Sequence, residues 1–175
     1  MKFNTIYRNS FCVGLVVFFW FAFTALSFGA TLQLPQGTDV KLKFAPGIKI
    51  SSGNMSADVP IICYLAEPIQ IGGKTVVEEG AQAMAKVAEV KPAGKGGKGG
   101  YIKVEFIEFE TKGEYNTVDG SKIKLTGYID NTGKNKKTLS YLFIFGLFIK
   151  GSQGEINTAS IYTVKTAGNT ILESK

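Results

Sequence analysis

The stretch Ile102-Lys-Val-Glu-Phe-Ile-Glu-Phe109 decides the fold class. Ile102, Val104 and Phe106 alternate with Lys103 and Glu105, so one face is apolar and the other charged. That period of two belongs to a half-buried β-strand. At Phe106-Ile107 the phase slips, and the apolar set moves from 102/104/106 to 107/109. One extra residue does this, and the resulting bulge bends the strand as a closing barrel requires.

Working outward, the same alternation recurs. Val40, Leu42 and Phe44 alternate with Lys41 and Lys43, and Ile123 and Leu125 alternate with Lys122 and Lys124. Val59 to Leu65 is instead a continuous apolar run, which predicts a strand buried on both faces, with Pro60 at its beginning or on an edge. Asp119-Gly120 joins two strand-like runs and is a hairpin turn signal. Ala81 to Val90 favours helix by propensity, yet Ala81, Ala83, Ala85 and Val87 alternate. A strand is expected there, with helix as the alternative.

A short repeat punctuates these strands. Leu34-Pro-Gln-Gly37-Thr-Asp-Val40 has the form apolar, two residues, Gly, small, any, apolar. Val77-Glu-Glu-Gly80-Ala-Gln-Ala83 follows it, and Ile156-Asn-Thr-Ala159-Ser-Ile161 follows it roughly, with Ala in place of Gly. Such a turn admits a positive φ and feeds a new strand, so the three copies predict similar corners in one barrel. Lys91-Pro-Ala-Gly-Lys-Gly-Gly-Lys-Gly-Gly100 lacks the Gly-Lys-Ser/Thr of a phosphate loop and runs on into a strand. It reads as a flexible turn, with contact to an anion or lipid headgroup as the alternative.

The fold class that follows is all-β: a single small β-barrel of antiparallel strands with one apolar insertion, preceded by a helical signal peptide. The division is 1–29 for the signal peptide and 30–175 for the barrel domain. Met1 to Ser10 carries Lys2, Arg8 and no acid; Phe11 to Leu26 is apolar apart from Thr24; Ser27, Phe28, Gly29 and Ala30 supply the exit. Positive start, apolar middle and small-residue exit make the three-part export pattern. Cleavage after Gly29 places Ser27 at the −3 position, and cleavage after Ser27 places Ala25 there. The competing reading is an uncleaved inner-membrane anchor over Phe11 to Ala30, which has the length and apolarity to span a bilayer.

With the leader set aside, roughly 145 residues remain, enough to bury a core without covalent staples. All 18 basic residues after the leader are Lys, against 14 acids, for a net charge of +4. Nucleic-acid readers lean on Arg, so a body with no Arg is a poor candidate for that function. Cys12 lies in the leader, which leaves Cys63 unable to form a disulfide within the mature chain. Its apolar neighbours predict a buried thiol acting as a small hydrophobe.

The order of these features resembles a family of small exported bacterial β-domains whose function is not established. The residues carrying the resemblance are Leu34-Pro-Gln-Gly-Thr38, Ile48-Lys-Ile-Ser-Ser52, Val59 to Leu65, Ile71-Gly-Gly-Lys-Thr-Val-Val-Glu-Glu-Gly-Ala81, the Gly-rich loop, and Val118-Asp-Gly-Ser-Lys-Ile-Lys-Leu125. More distantly, the chain is similar to the β-barrel domain of TrbI-type subunits of conjugal and type IV secretion machines. It departs from the pattern at Ala85 and Ala159, where Gly is expected, and it lacks the long linker of the secretion subunits. The resemblance implies a small exported domain rather than a part of a secretion channel.

Leu139-Ser-Tyr-Leu-Phe-Ile-Phe-Gly-Leu-Phe-Ile149 is the most apolar stretch after the leader. It is too short to span a bilayer as a helix. Lys134, Lys136 and Lys137 precede it and Lys150 follows. One reading buries it as a strand or as a helix plugging one barrel end. The other exposes Leu142, Phe143, Phe145, Leu147 and Phe148 to a membrane interface or an envelope protein partner. In TrbI-type subunits a membrane-inserting element interrupts the barrel at a comparable place.

The chain contains no His, which removes the usual general base, the Ser-His and Cys-His nucleophile systems and the commonest metal ligand. No catalytic residue, cofactor or metal site is expected. Glu105, Glu108 and Glu110 cluster on a lysine-flanked strand, and Glu78-Glu79 falls in a turn; both read as solvated charge. Three functions follow in order: a non-catalytic structural or binding domain of the periplasm or cell envelope; a membrane-associated component of an envelope or secretion assembly using 139–149; and a carboxylate-dependent hydrolase of envelope polymers.

Overall fold

The computed structural model describes residues 31–135 and 150–175, and every helix or strand assigned among them is a strand. In chain order these are β1 (Thr31–Leu34), β2 (Asp39–Phe44), β3 (Ile50–Ser51), β4 (Pro60–Leu65), β5 (Ile69–Ile71), β6 (Lys74–Val77) and β7 (Gln82–Lys91). They continue with β8 (Tyr101–Phe109), β9 (Tyr115–Thr117), β10 (Ile123–Thr126), β11 (Tyr128–Thr132), β12 (Glu155–Ile156), β13 (Ile161–Thr166) and β14 (Thr170–Ser174). Six of them close an antiparallel barrel in the order β10-β13-β2-β4-β7-β8, with Phe109 of β8 opposite Ile123 of β10 at the closure. Around the barrel stand a three-stranded sheet, β1-β14-β9, and two ribbons, β12-β3 and β5-β6. The leader and the apolar segment 139–149 lie outside the described residues.

Alternation builds the interior. Val40, Leu42 and Phe44 of β2, Ile102, Val104 and Phe106 of β8, and Ile123 and Leu125 of β10 all point inward and are buried. A narrow barrel must set large side chains against small ones to fill its lumen. Strand β7 supplies the small ones: Ala83 stands opposite Phe109 and Ala85 opposite Phe106. That role explains why a helix-favouring composition forms a strand, since burial against both neighbours outweighs a propensity difference of about 0.5 kcal/mol per residue. Each large aliphatic or aromatic side chain so buried contributes about 1.5–3 kcal/mol. Among the described residues the core runs from Leu34 to Leu172.

The phase slip in β8 is a bulge. Glu108 pairs with Met84 and Phe106 with Ala85, which leaves Ile107 without a partner. A second bulge in β7 leaves Ala88 unpaired between Val87 and Glu89. Only Gly127 separates β10 from β11, and both pair with β8. A Cβ on Gly127 would meet Val164 Cγ1 at 2.8 Å, so glycine lets the chain pass close to β13 at this point.

The repeated corners each lead from a peripheral strand into a barrel strand: β1 to β2, β6 to β7, and β12 to β13. Gly37 and Gly80 adopt φ of 81° and 77°. Ala159 needs no such conformation, because Asn157 Oδ1 accepts a hydrogen bond from its amide at 3.1 Å and shapes the turn instead. A fourth corner, Thr117-Val-Asp-Gly120-Ser-Lys-Ile123, has the same form with Thr in first place, and Gly120 has φ of 67°.

Two expectations are corrected. Strand β4 is not buried on both faces: Ile61, Cys63 and Leu65 point inward, while Ile62 is 44% exposed. A closed barrel offers one dry face, and among the described residues no second sheet covers β4 from outside. Asp119-Gly120 does form a turn, with the Gly120 amide donating to Thr117 O at 3.0 Å, but it does not make a hairpin. Its flanking strands part company, β9 joining β14 and β10 joining β13 and β8.

Candidate functional site

The groups with chemical potential are placed apart. Cys63 lies inside the barrel with no exposed surface, and burial pushes its thiol up to about 12. A thiol held protonated and enclosed is a poor nucleophile. Glu105, Glu108 and Glu110 sit on or beside β8, each ion-paired on the outer wall. Lys103 lies 3.3 Å from Glu105, Lys124 2.6 Å from Glu108, and Lys122 2.9 Å from Glu110. The hydrogen bond from Lys124 and its charge, with Lys122 beside it, hold the Glu108 carboxyl below the usual carboxylate range. Glu79 in its turn accepts from Lys43 at 3.0 Å. Among the described residues no group of three His, Cys, Asp or Glu is placed to hold a metal.

A different region draws the chain together, at the base of the segment beyond β11. Three loops meet there: 92–100 between β7 and β8, 133–135 after β11, and 150–154 before β12. The Gly133 amide donates to Gly100 O at 2.7 Å, Gly100 to Ser152 O at 2.9 Å, and Ser152 to Lys134 O at 3.1 Å. Asn135 Oδ1 accepts from the Gly99 amide at 2.8 Å. A Cβ on Gly99 would strike Gly133 O, one on Gly133 would strike Ser152 O, and one on Gly151 would strike Lys98 O. At these three positions glycine is needed for close approach of backbones, not for turning.

A buried polar network locks this knot to the barrel. Ser52 is fully enclosed, and its hydroxyl donates to Gln153 Oε1 at 2.7 Å while accepting from the Gly154 amide at 3.0 Å. Gln153 Oε1 also accepts from the Ala93 amide at 2.9 Å. The Ser52 amide donates to Gly154 O at 2.8 Å. The Gly-rich loop is therefore not the free turn its composition suggests, since Ala93, Gly97 and Gly100 are buried. Nothing in the spacing of Ser52 and Gln153 advertises their partnership; only the Gly-flanked polar pairs Ser51-Ser52 and Ser152-Gln153 hint at it.

Lysines crown the knot. Lys95, Lys98, Lys134 and Lys150 are all exposed, and none forms an ion pair among the described residues. Segments 90–101 and 131–154 contain no Asp or Glu. Leu142, Phe143, Phe145, Leu147 and Phe148, the expected contact residues, lie outside the described residues; Asn135 and Lys150, which flank their segment, belong to this knot. Elsewhere among the described residues the surface carries open depressions. One of about 470 Å³ is lined by Glu110, Asn116, Ser121 and Lys122 among others, and one of about 410 Å³ by Tyr128, Asp130, Ile156 and Tyr162 among others. No protein-family model matches the chain, and no curated protein matches it either.

Proposed function

We propose that this chain is a non-catalytic structural or binding domain of the bacterial periplasm or cell envelope. The observation that carries the reading is the disposition of its reactive groups. Cys63 is enclosed in an aliphatic lumen, and the carboxylates of β8 are neutralised by lysines on an open wall. Neither arrangement brings a nucleophile, a base and an enclosed pocket together, as bond-breaking chemistry asks. A barrel interior filled by side chains leaves binding to the rim and loops. Export rests on the three-part leader of 1–29, and the resemblance to small exported β-domains supports the same placement. Fractionation with an intact-mass measurement tests it, followed by a pull-down from envelope fractions. Recovery of the protein in the cytoplasm with Met1 retained would overturn the reading.

A second reading has its own support. The residues that flank 136–149 are joined at the glycine knot, where the Ser152 amide donates to Lys134 O and Asn135 accepts from the Gly99 amide, which suits an element presented to a membrane or an assembly partner. Replacing Phe143 and Phe148 with Ser in the exported domain would then abolish envelope association. Unchanged association with an intact fold would end this reading.

A further inference from the structure

Closure takes the edges from the barrel strands, but the strands around the barrel keep theirs. Most of these edges carry a device that keeps other chains away. β11 bears the exposed Asp130 and has β12 close beside it. β9 closes on its own turn, where Thr117 O accepts from the Gly120 amide at 3.0 Å. β12 carries Glu155, and β6 carries Lys74 beside the bulged β5. β3 is two residues long, and its Ser51 carbonyl accepts from the Asn54 and Met55 amides at 3.1 Å.

β1 has none of these devices. Thr31-Leu-Gln-Leu34 is uncharged and pairs with β14 in an unbroken register. Among the described residues it pairs with no other strand. In an antiparallel ladder alternate residues turn their amides and carbonyls to the same neighbour, so half of these groups on β1 face away from β14. Among the described residues no loop or turn hydrogen bond reaches them. The side chains agree with an open edge. Leu34 is fully buried, whereas Leu32, which points the same way, is only partly covered by the core. A further strand beside β1 would complete its cover.

We propose that β1 is a self-association edge, pairing antiparallel with β1 of a second copy of this chain about a two-fold axis at Gln33. The strand itself selects a second copy, because a two-fold contact needs a surface that is its own complement. Directly opposed residues of an antiparallel pair point to the same face. An axis at Gln33 therefore sets Leu32 opposite Leu34 of the partner subunit, twice, on the inner face. On the outer face it sets Gln33 opposite Gln33 of the partner subunit. No like charges meet along the pair. An axis at Leu32 would keep the faces but leave Leu34 without an apolar residue of β1 opposite it. The two three-stranded sheets become one, in the order β9-β14-β1-β1-β14-β9. Main-chain hydrogen bonds supply the affinity, as in strand addition. The contact is small, so association is weak and concentration-dependent. The inference does not depend on where the protein resides.

The test uses the chain as it is recovered from cells. Sedimentation velocity over a series reaching millimolar concentration is expected to show wild type passing from monomer to dimer. Gln33 is exposed, so Gln33→Lys spares the core and opposes two like charges across the axis. It is expected to weaken the dimer by about tenfold or more. Gln70→Lys makes the same charge change on the exposed side of β5 and is expected to leave association unchanged. Melting curves confirm that each variant folds. Directly opposed residues stand about 4.5–5.5 Å apart at Cα, within disulfide reach. Gln33→Cys should thus form an intersubunit disulfide with oxidised glutathione, while Thr31→Cys, displaced along the pair, should not. Cys63 is enclosed and does not compete. A monomeric wild type throughout, undiminished association of Gln33→Lys, or equal crosslinking of Thr31→Cys and Gln33→Cys overturns the proposal. Each of those results leaves the envelope reading to its own fractionation test.

Discussion

Ser52 and Gln153, separated by 101 residues of chain, share a 2.7 Å hydrogen bond in which the buried serine hydroxyl donates to the side-chain carbonyl. The bond fastens the loop after β3 to the loop before β12. Through the Ala93 amide it also reaches the Gly-rich loop. One enclosed hydroxyl therefore holds three otherwise separate segments at the base of 136–149.

Ser52→Ala removes that hydroxyl and strands the Gly154 amide, while Gln153 keeps only Ala93. Leaving a buried donor unsatisfied costs about 1–3 kcal/mol. Urea unfolding of wild type and variant reads the difference. A loss under about 0.5 kcal/mol, the range of ordinary surface substitutions, would show that the network contributes little.

The knot glycines should respond to alanine by position, not by count. Gly133→Ala drives a Cβ into the Ser152 carbonyl, a main-chain group that cannot swing aside. The expected cost is about 3 kcal/mol or more, at the severe end of overpacking. At Gly96 nothing lies within 4 Å of a Cβ, but φ is 69°. Gly96→Ala should cost only the left-handed strain of about 1–2 kcal/mol. Thermal melts of the pair that came out in the reverse order would contradict the packed-loop description.

Cys63 should be silent to a thiol reagent at pH 8 in the native protein and react once urea unfolds it. Its folded value of about 12 lies above the ordinary thiol value of 9.0. The unfolded thiol therefore ionises first, so the stabilising contribution is fully present below pH 9 and is lost as pH rises toward 12. Cys63→Ala should show a shallower fall in stability over that alkaline window. Rapid native labelling at pH 8 would place the thiol outside the lumen.

The Glu108–Lys124 pair gives the opposite sign at the acid end. Lys124 lowers the Glu108 carboxyl, so the unfolded carboxylate takes up a proton first as pH falls. Stability from the pair is present above the ordinary value of 4.5 and declines as pH drops through the lower folded one. Lys124→Met should move the acid-unfolding midpoint to higher pH when followed by circular dichroism. An unchanged midpoint would mean that solvent screens the pair completely.

Much of the barrel was legible in the residues because its rules are local. Alternation at Ile102 to Phe106 announced a strand, the slip at Ile107 announced a bulge, and the corners at Gly37 and Gly80 announced where strands begin. Even Ala81 to Val87 could be read correctly, since period outweighs propensity when both faces meet neighbours. Apolarity alone misled at Val59 to Leu65, because a run of apolar residues does not say how many sides of a strand are dry.

By itself, then, the sequence determined the alternating strands at 40–44, 102–109 and 122–125, their inward faces and the lack of histidine. Partnership was decided only in three dimensions. That Asp119-Gly120 turns between two sheets, that Ser52 finds Gln153, and that the loops at Gly99, Gly133 and Gly151 interlock all depend on which distant backbones meet. Local patterning fixes which side of a residue is buried, whereas closure of the barrel fixes what stands beside it.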